Sequence, residues 1–273
     1  MFQKITLISY HSLQQIKMEI PIIMVAFGTT SKSITTYRYI EKITKKYFKN
    51  HTLFWSFSSR IITKRLQLEG MKDVQTPAER FTQLAELGYK SAIVQPLHLF
   101  AGREFDSLCK SMQRDELNLT PGTPLISSPQ DYIEICQILQ PLVTTAPKKA
   151  TLIIGHGTDH PIWTAYYCLE TFLRQQFGPH IFVGTVEKYP NSDHLVDQIC
   201  DAGYEEVHII PFFLVTGMHY ERDITGDGEA SWQSRFKKKN IAVKSVEHGL
   251  GMLPGFSNII IRHIEEALNR GNL

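Results

Sequence analysis

The chain has 273 residues, enough for one large or two small domains, and its 42% hydrophobic and 21% charged residues describe a globular protein able to bury a core. A formal charge of +2, with no basic run longer than Lys237-Lys238-Lys239 (read as a solvated helix end), argues against bulk nucleic-acid binding. Cys109, Cys136, Cys168 and Cys200 form no C-x-x-C pair, which argues against a zinc ribbon or a disulfide framework and fits a reducing compartment.

The N-terminal stretch contains the short apolar piece ITLISY, followed by His, Gln and Lys, without the apolar region and small-residue cleavage site of a signal peptide. Met18 is an equally good start. No run approaches the roughly 20 apolar residues of a membrane span, so a cytoplasmic protein without membrane partners is expected.

PIIMVAF (21–27) reads as a buried strand, and Ile34, Tyr37, Ile40, Ile43 and Tyr47 then recur at helical spacing. TLFWSFSS (52–59) reads as a second strand. Thr76-Pro77-Ala78-Glu79 supplies an N-cap, a first-turn proline and a capping-box acid for a helix ending at Gly88. SAIVQPLHLF follows as a strand running into a loop. In the second half, ATLIIGHGT is a strand entering a turn, and Ile162, Ala165, Tyr166, Leu169, Phe172, Leu173 and Phe177 mark an amphipathic helix. HIFVGTVE is the next strand, with a helix over about 192–202, and VHIIPFFLV runs into a loop at Thr216-Gly217. A helix near 229–239, the strand IAVKSV and a final helix over about 256–269 complete the chain. Strands alternating with helices imply an α/β fold with largely parallel sheets.

The halves superimpose as sequence. AFGTT (26–30) matches GHGTD (155–159), and LGYKSAIVQPLHLFAGREFD (87–106) matches AGYEEVHIIPFFLVTGMHYE (202–221) without a gap. An internal duplication follows: two similar doubly wound α/β lobes with a cleft between them. The expected lobes are residues 19–145 and 146–273, joined at APKKA (146–150), with the last helix placed where it can pack back on the first lobe. The match also sets His156 opposite Phe27 and His219 opposite Glu104, so neither histidine is needed by the fold.

In doubly wound sheets, ligands bind beyond the carboxyl ends of the strands. His156 (in GHG), Glu187 (in TVEKYP) and His219 (in VTGMHYERD) each follow a predicted strand and should face one edge of the second lobe. Two imidazoles and a carboxylate suit a borderline divalent metal and leave coordination positions open. Singly, each has a plainer reading: a turn histidine, a surface carboxylate pairing with Lys188, a loop histidine. His160 reads as a capping residue before Pro161, and His98 as a strand-end residue facing the cleft. The chain has no G-x-S-x-G elbow, no G-x-x-x-x-G-K-[ST] phosphate loop and no G-x-G-x-x-G after a strand.

IIMVAFGTT, TPAERFTQLAELGYKSAIVQPLHLF, GHGTDH, GTVEKYP and VTGMHYERDITGDGEASW together resemble the class II chelatases, in particular the anaerobic sirohydrochlorin cobaltochelatases of the CbiK type, over about residues 19–270. The resemblance implies two similar lobes and insertion of a divalent metal into a tetrapyrrole in cobalamin biosynthesis, without ATP or a permanently bound cofactor, Co²⁺ or Fe²⁺ being the substrate metal. It implies that His156, Glu187 and His219 are the metal ligands; His156 and Glu187 are expected also to be catalytic, with Glu187 the base that accepts pyrrole protons. Gly155 and Gly157 would leave room for a flat ring. A cationic rim for the macrocycle's carboxylates is expected from Arg103, Arg222, Lys188 and Arg60, with Glu104 and Tyr220 beside it. Phe54, Trp55 and Phe213 are further aromatics available to flank the ring, Phe54 and Phe213 reading better as core. Tyr220 and Arg222 stand where relatives commonly carry a small residue and an asparagine. Iron in place of cobalt, or a non-catalytic haem- or metal-binding carrier, are the competing readings; a homo-oligomer is compatible with the sequence.

Overall fold

The structure, a computed structural model, describes residues 19–29, 33–71 and 73–271. The reading of residues 1–18 as lacking a signal peptide lies outside these.

Two four-stranded parallel sheets form the framework. The first half runs β1 (Ile22–Ala26), α1 (Ile34–Tyr47), β2 (Leu53–Phe57), α2 (Arg60–Leu68), α3 (Pro77–Glu86), β3 (Ser91–Pro96), α4 (Arg103–Ser111), β4 (Asn118–Pro121) and α5 (Pro129–Leu139). The second runs β5 (Lys149–Gly155), α6 (Ala165–Phe177), β6 (Ile181–Thr185), α7 (Leu195–Asp201), β7 (Glu206–Pro211), α8 (Trp232–Lys238), β8 (Ala242–Ser245) and α9 (Phe256–Gly271). The strand orders β2-β1-β3-β4 and β6-β5-β7-β8 are the same arrangement twice, and every pairing is parallel. β3 and β7 have the same length and both end in the prolines matched by the sequence alignment.

Local chemistry sets the element ends. Thr76 and Glu79 form the capping box that opens α3, and Gly88 takes φ +88° just past its end. A second capping box, Ser128 with Asp131, opens α5. Gly203, the partner of Gly88, takes φ +81° after α7. These are positions where an L-residue would be strained. Four elements, α2, α4, β4 and α5, go beyond those expected from the sequence pattern.

Strand side chains alternate between two interiors, as a period of two requires. Ile22, Met24 and Ala26 of β1 join a shared core, while Ile23 and Val25 pack with Phe81 and Leu84 of α3. In the second sheet Ile153 reaches the shared core, and Leu152 and Ile154 pack with Ile199, Trp232 and Phe236. The shared core therefore lies between the sheets and takes in Leu169 and Leu173 of α6 and Ile260 and Ile264 of α9. The last helix crosses over: α9 packs on β3, β4 and α5 of the first sheet.

Both sheets end at the same rim, where the halves also touch. Ser33 Oγ donates to the Thr216 carbonyl, Arg103 Nε donates to Asp159 Oδ1 at 2.9 Å, and His160 Nε2 stands 3.2 Å from Asp106. No helix among the described residues is long and apolar enough to cross a membrane.

Candidate functional site

His156 is the first residue after β5. The turn is drawn tight against the segment after β6: Val186 N donates to Gly155 O at 2.9 Å and Glu187 N donates to His156 O at 3.1 Å. The first lobe repeats this with Ser58 N on Ala26 O and Ser59 N on Phe27 O. In three dimensions, then, Phe27 and Ser59 occupy the places that His156 and Glu187 hold in the second lobe. Thr185 and Ser192 fasten the far side of the Glu187 turn, Thr185 Oγ1 donating to Pro190 O at 2.9 Å and Thr185 N to Ser192 Oγ at 2.9 Å.

The glycines around His156 have a structural reason of their own. Both are buried. A methyl on Gly155 would lie 2.3 Å from the Tyr166 ring, and one on Gly157, whose φ is +84°, would lie 1.7 Å from the Glu187 carbonyl oxygen. Gly157 N also donates to Tyr166 Oη at 3.0 Å. The glycines let protein approach protein beneath the histidine.

His219 arrives from the other side of β5, on the loop after β7, directly before a π-helical turn spanning Tyr220–Ile224. Single π turns of this kind recur at functional sites. Ile224 is fully buried and Tyr220 packs on the second-lobe core, its hydroxyl accepting from Ser245 Oγ at 3.2 Å. Anchored by these residues, the turn sets His219 and Asp223 on one side, and His219 Nδ1 lies 2.6 Å from Asp223 Oδ2.

The two imidazoles meet Nε2 to Nε2 at 3.1 Å, with ring planes at 81°. Two nitrogens each about 2.1 Å from one tetrahedral ion lie about 3.4 Å apart, so the observed gap is close to one that an ion spans. The remaining nitrogens point outward: His156 Nδ1 lies 3.2 Å from the Gly157 carbonyl and 3.3 Å from Glu187 Oε1. Partial burial, together with the neighbouring His219, lowers the pKa of His156 even though the Gly157 carbonyl pulls the other way. The ring is thereby biased toward its neutral, ligating form. Asp223 is likewise held below the usual carboxylate range, chiefly by Arg222.

Of the three expected ligands, the two histidines come together through Nε2, whereas Glu187 lies on the Nδ1 side of His156. Among the described residues no cluster of three His, Cys, Asp or Glu side chains is already disposed around one point. Arg222 donates to both oxygens of Asp223, Nε at 2.7 Å and Nη2 at 3.0 Å, so its guanidinium is engaged with that carboxylate, not standing free at a rim. Arg103 and Lys188 both face Asp159, at 2.9 and 3.8 Å. Glu104 is exposed in the first turn of α4, and Arg60 is exposed at the start of α2. Tyr220, expected at the rim, faces the core instead. Phe54 lies under the Arg80 guanidinium, Trp55 sits beside Tyr37, and Phe213 packs on the second-lobe core.

His160 caps the 3-10 turn at Pro161–Thr164, its Nδ1 accepting from Ile162 N at 3.3 Å. Both ring nitrogens of His98 are buried without a hydrogen-bond partner among the described residues, and burial lowers its pKa to about 4. An open groove of about 570 Å³, lined by Asp159, Trp163, Tyr167, Tyr189 and His194, lies beside the histidine pair and not over it. Asp159 and Asp223 are site residues that the sequence pattern did not single out; an acid four residues after a histidine on a helical turn is the available signal for the latter.

Comparison with known proteins accords with this geometry. The profile of the family Cobalt chelatase (CbiK) matches residues 21–269. A sirohydrochlorin cobaltochelatase of Salmonella typhimurium is 34% identical over 221 residues, covering 80% of this chain and 83% of its own. Sirohydrochlorin cobaltochelatase CbiKC of Nitratidesulfovibrio vulgaris is 26% identical over 256 residues, covering 91% and 90%. In fold, the chain is similar to SirB of Bacillus subtilis solved with Fe³⁺, with a TM-score of 0.65 at 15% identity, over 93% of this chain and 98% of that one. It is similar also to a sirohydrochlorin chelatase SirB solved with cobalt, with a TM-score of 0.63 at 14% identity over the same shares of the two chains. The chain belongs to the CbiK family of cobalt chelatases.

Proposed function

We propose that this protein is an ATP-independent sirohydrochlorin cobaltochelatase, inserting Co²⁺ into a sirohydrochlorin-type tetrapyrrole at the rim of the second lobe. The observation that carries the reading is the pair of imidazoles meeting at 3.1 Å where the twin lobe has Phe27 and Glu104. Membership of the CbiK family and the names of the two relatives support the substrate.

Insertion exchanges one divalent cation for two pyrrole protons. In this reading His156 and His219 hold the ion through Nε2, and Glu187 turns from Nδ1 toward the metal face as ligand and proton acceptor, passing the two pyrrole protons in turn to solvent. The side chains of His156, Glu187 and His219 are 47%, 42% and 37% exposed, which lets a metal enter and leave. Neutral nitrogen ligands, unlike thiolates, release a borderline ion readily to the macrocycle's four nitrogens. Carboxylates of the substrate compete with Asp159 for Arg103 and Lys188, and Arg60 adds a further cation. The division at 145/146 places both histidines and Glu187 on the second lobe and makes the first its ligand-facing wall.

Fe²⁺ is the second reading, because the same donor set suits both divalent ions and the structurally similar SirB was solved once with cobalt and once with iron, there as Fe³⁺. The test is anaerobic incubation of the protein with sirohydrochlorin and either Co²⁺ or Fe²⁺, followed by absorption spectroscopy. Many rings metalated per protein, faster with Co²⁺, is the expected result; no acceleration over the spontaneous rate with either metal refutes the enzyme reading. His156→Ala should lose about 100-fold or more in rate, the order seen when an essential acid–base or ligating group is removed, while folding normally.

A further inference from the structure

The two imidazoles are each backed by a carboxylate, but unequally. On one side Glu187 Oε1 stands 3.3 Å from His156 Nδ1 and shares that nitrogen with the Gly157 carbonyl at 3.2 Å. On the other, Asp223 Oδ2 stands 2.6 Å from His219 Nδ1, and no second acceptor reaches that nitrogen among the described residues. Asp223 is itself held in a two-point clamp by Arg222 and lies between the anchored Tyr220 and Ile224. Its side chain is 23% exposed, against 42% for Glu187.

We infer that Asp223 is the positioning residue of the site: it fixes His219 in the Nδ1–H tautomer, aims the Nε2 lone pair at the metal, and so makes His219 the anchoring ligand. The inference rests on the metal-holding reading of the histidine pair. The physical argument is one of tautomers. An imidazole ligates through the nitrogen without a proton, and a carboxylate on the other nitrogen keeps the proton there. His156 retains its Gly157 carbonyl when Glu187 leaves, so Glu187 is free to move during the reaction; His219 has no such reserve, so Asp223 is not. With both Nδ1 protons held in this way, two Nε2 atoms without protons stand 3.1 Å apart, a repulsion that a cation bound by both relieves.

The measurement is Co²⁺ affinity of the full chain by isothermal titration, with kcat and KM for Co²⁺ alongside. Asp223→Ala should weaken Co²⁺ binding about 10- to 100-fold, the usual cost of losing a carboxylate behind a metal-bound histidine, and raise KM for Co²⁺ more than it lowers kcat. Asp223→Glu should recover part of the loss. Nitrogen-15 spectra of the metal-free protein should show His219 protonated at Nδ1 in the wild type and as a tautomer mixture in Asp223→Ala. Should Asp223→Ala fail to fold, Arg222→Gln frees the carboxylate without removing it and should shift affinity in the same direction by a smaller factor. An Asp223→Ala protein that binds Co²⁺ like wild type, while His219→Ala loses binding, overturns the positioning role alone. A His219→Ala protein that still binds like wild type overturns the site reading on which it rests.

Discussion

Replacing Gly157 by alanine separates two reasons for a bare backbone beside His156. Its φ of +84° places an L-residue in the left-handed region, and the new methyl would sit 1.7 Å from the Glu187 carbonyl oxygen and 3.0 Å from Thr185 Cβ. The left-handed conformation alone costs alanine about 1–2 kcal/mol. The clash is with backbone, so the Glu187 segment must shift, and forced displacement of packed structure adds about 1–3 kcal/mol. Together the change should destabilise the substrate-free protein by about 2–5 kcal/mol, a fall in Tm of roughly 5–15 °C for a chain of this size. The same shift pulls on the Glu187 N to His156 O hydrogen bond and on the pairing of Thr158 with Tyr189, so Co²⁺ affinity should fall as well. Gly28→Ala in the twin turn is the control. Its φ is also positive, at +101°, but its nearest neighbour is the Ile62 side chain at 3.0 Å, which can give way. It should therefore melt higher than Gly157→Ala. The assay is thermal unfolding by circular dichroism without substrate. A Gly157→Ala protein that melts like wild type and loses only tetrapyrrole affinity would refute the close-approach account and leave clearance for a flat ligand as the reason for the glycine.

Two further outcomes concern the first lobe. Asp131 is fully buried, and desolvation opposes its charge, yet His263 Nε2 at 2.9 Å, Arg262 Nη2 at 2.6 Å and the Ser127 and Ser128 amides hold its carboxyl well below the usual range. Its contribution to stability is thus present above the unfolded carboxylate pKa of about 4 and is lost as pH falls toward the lower folded value. Asp131→Ala should cost about 3 kcal/mol, the low end for breaking a buried pair, because Arg262 keeps Glu134 and Glu266; urea unfolding at pH 7 and at about pH 2.5, below the unfolded pKa, reads both effects, a wild-type midpoint in the mutant at pH 7 contradicting the first and an equal gap between mutant and wild type at both pH values the second. His98 has the same sign for a different reason: burial depresses its folded pKa to about 4, so stability is full above about 6.5 and falls as pH drops from there toward the folded value, by roughly 3 kcal/mol. His98→Phe, matching Phe213 in the twin lobe, should remove that slope; an unchanged pH dependence of unfolding would show that His98 is not its source.

Elements whose ends depend on nearby residues are legible in the sequence. The capping box at Thr76 and Glu79, the strands ending in Pro96 and Pro211 and the glycines after α3 and α7 all act within a few residues of themselves. Other elements lack that signature. α2 leaves Ile61 and Leu68 exposed, which blurs its apolar face; α4 buries Leu108 alone; β4 is four residues long and ends in proline. α5 does carry a local signal, Ser128 with Asp131, but the acid is aspartate where the usual capping box has glutamate or glutamine.

The duplication, the parallel α/β lobes and the placing of His156, Glu187 and His219 at strand ends all follow from the linear pattern, because strand alternation, turn glycines and the mismatch between twin positions are properties of it. Packing in three dimensions sets the rest: which nitrogen of each histidine faces the other, that Glu187 lies behind His156, that Asp223 and Arg222 stand behind His219, and that Tyr220 turns inward. Those relations depend on how a π turn sits against β8 and how the β5 and β6 turns close on each other. Distances of a few ångströms between residues dozens of positions apart come from the way whole elements meet, which no local pattern encodes.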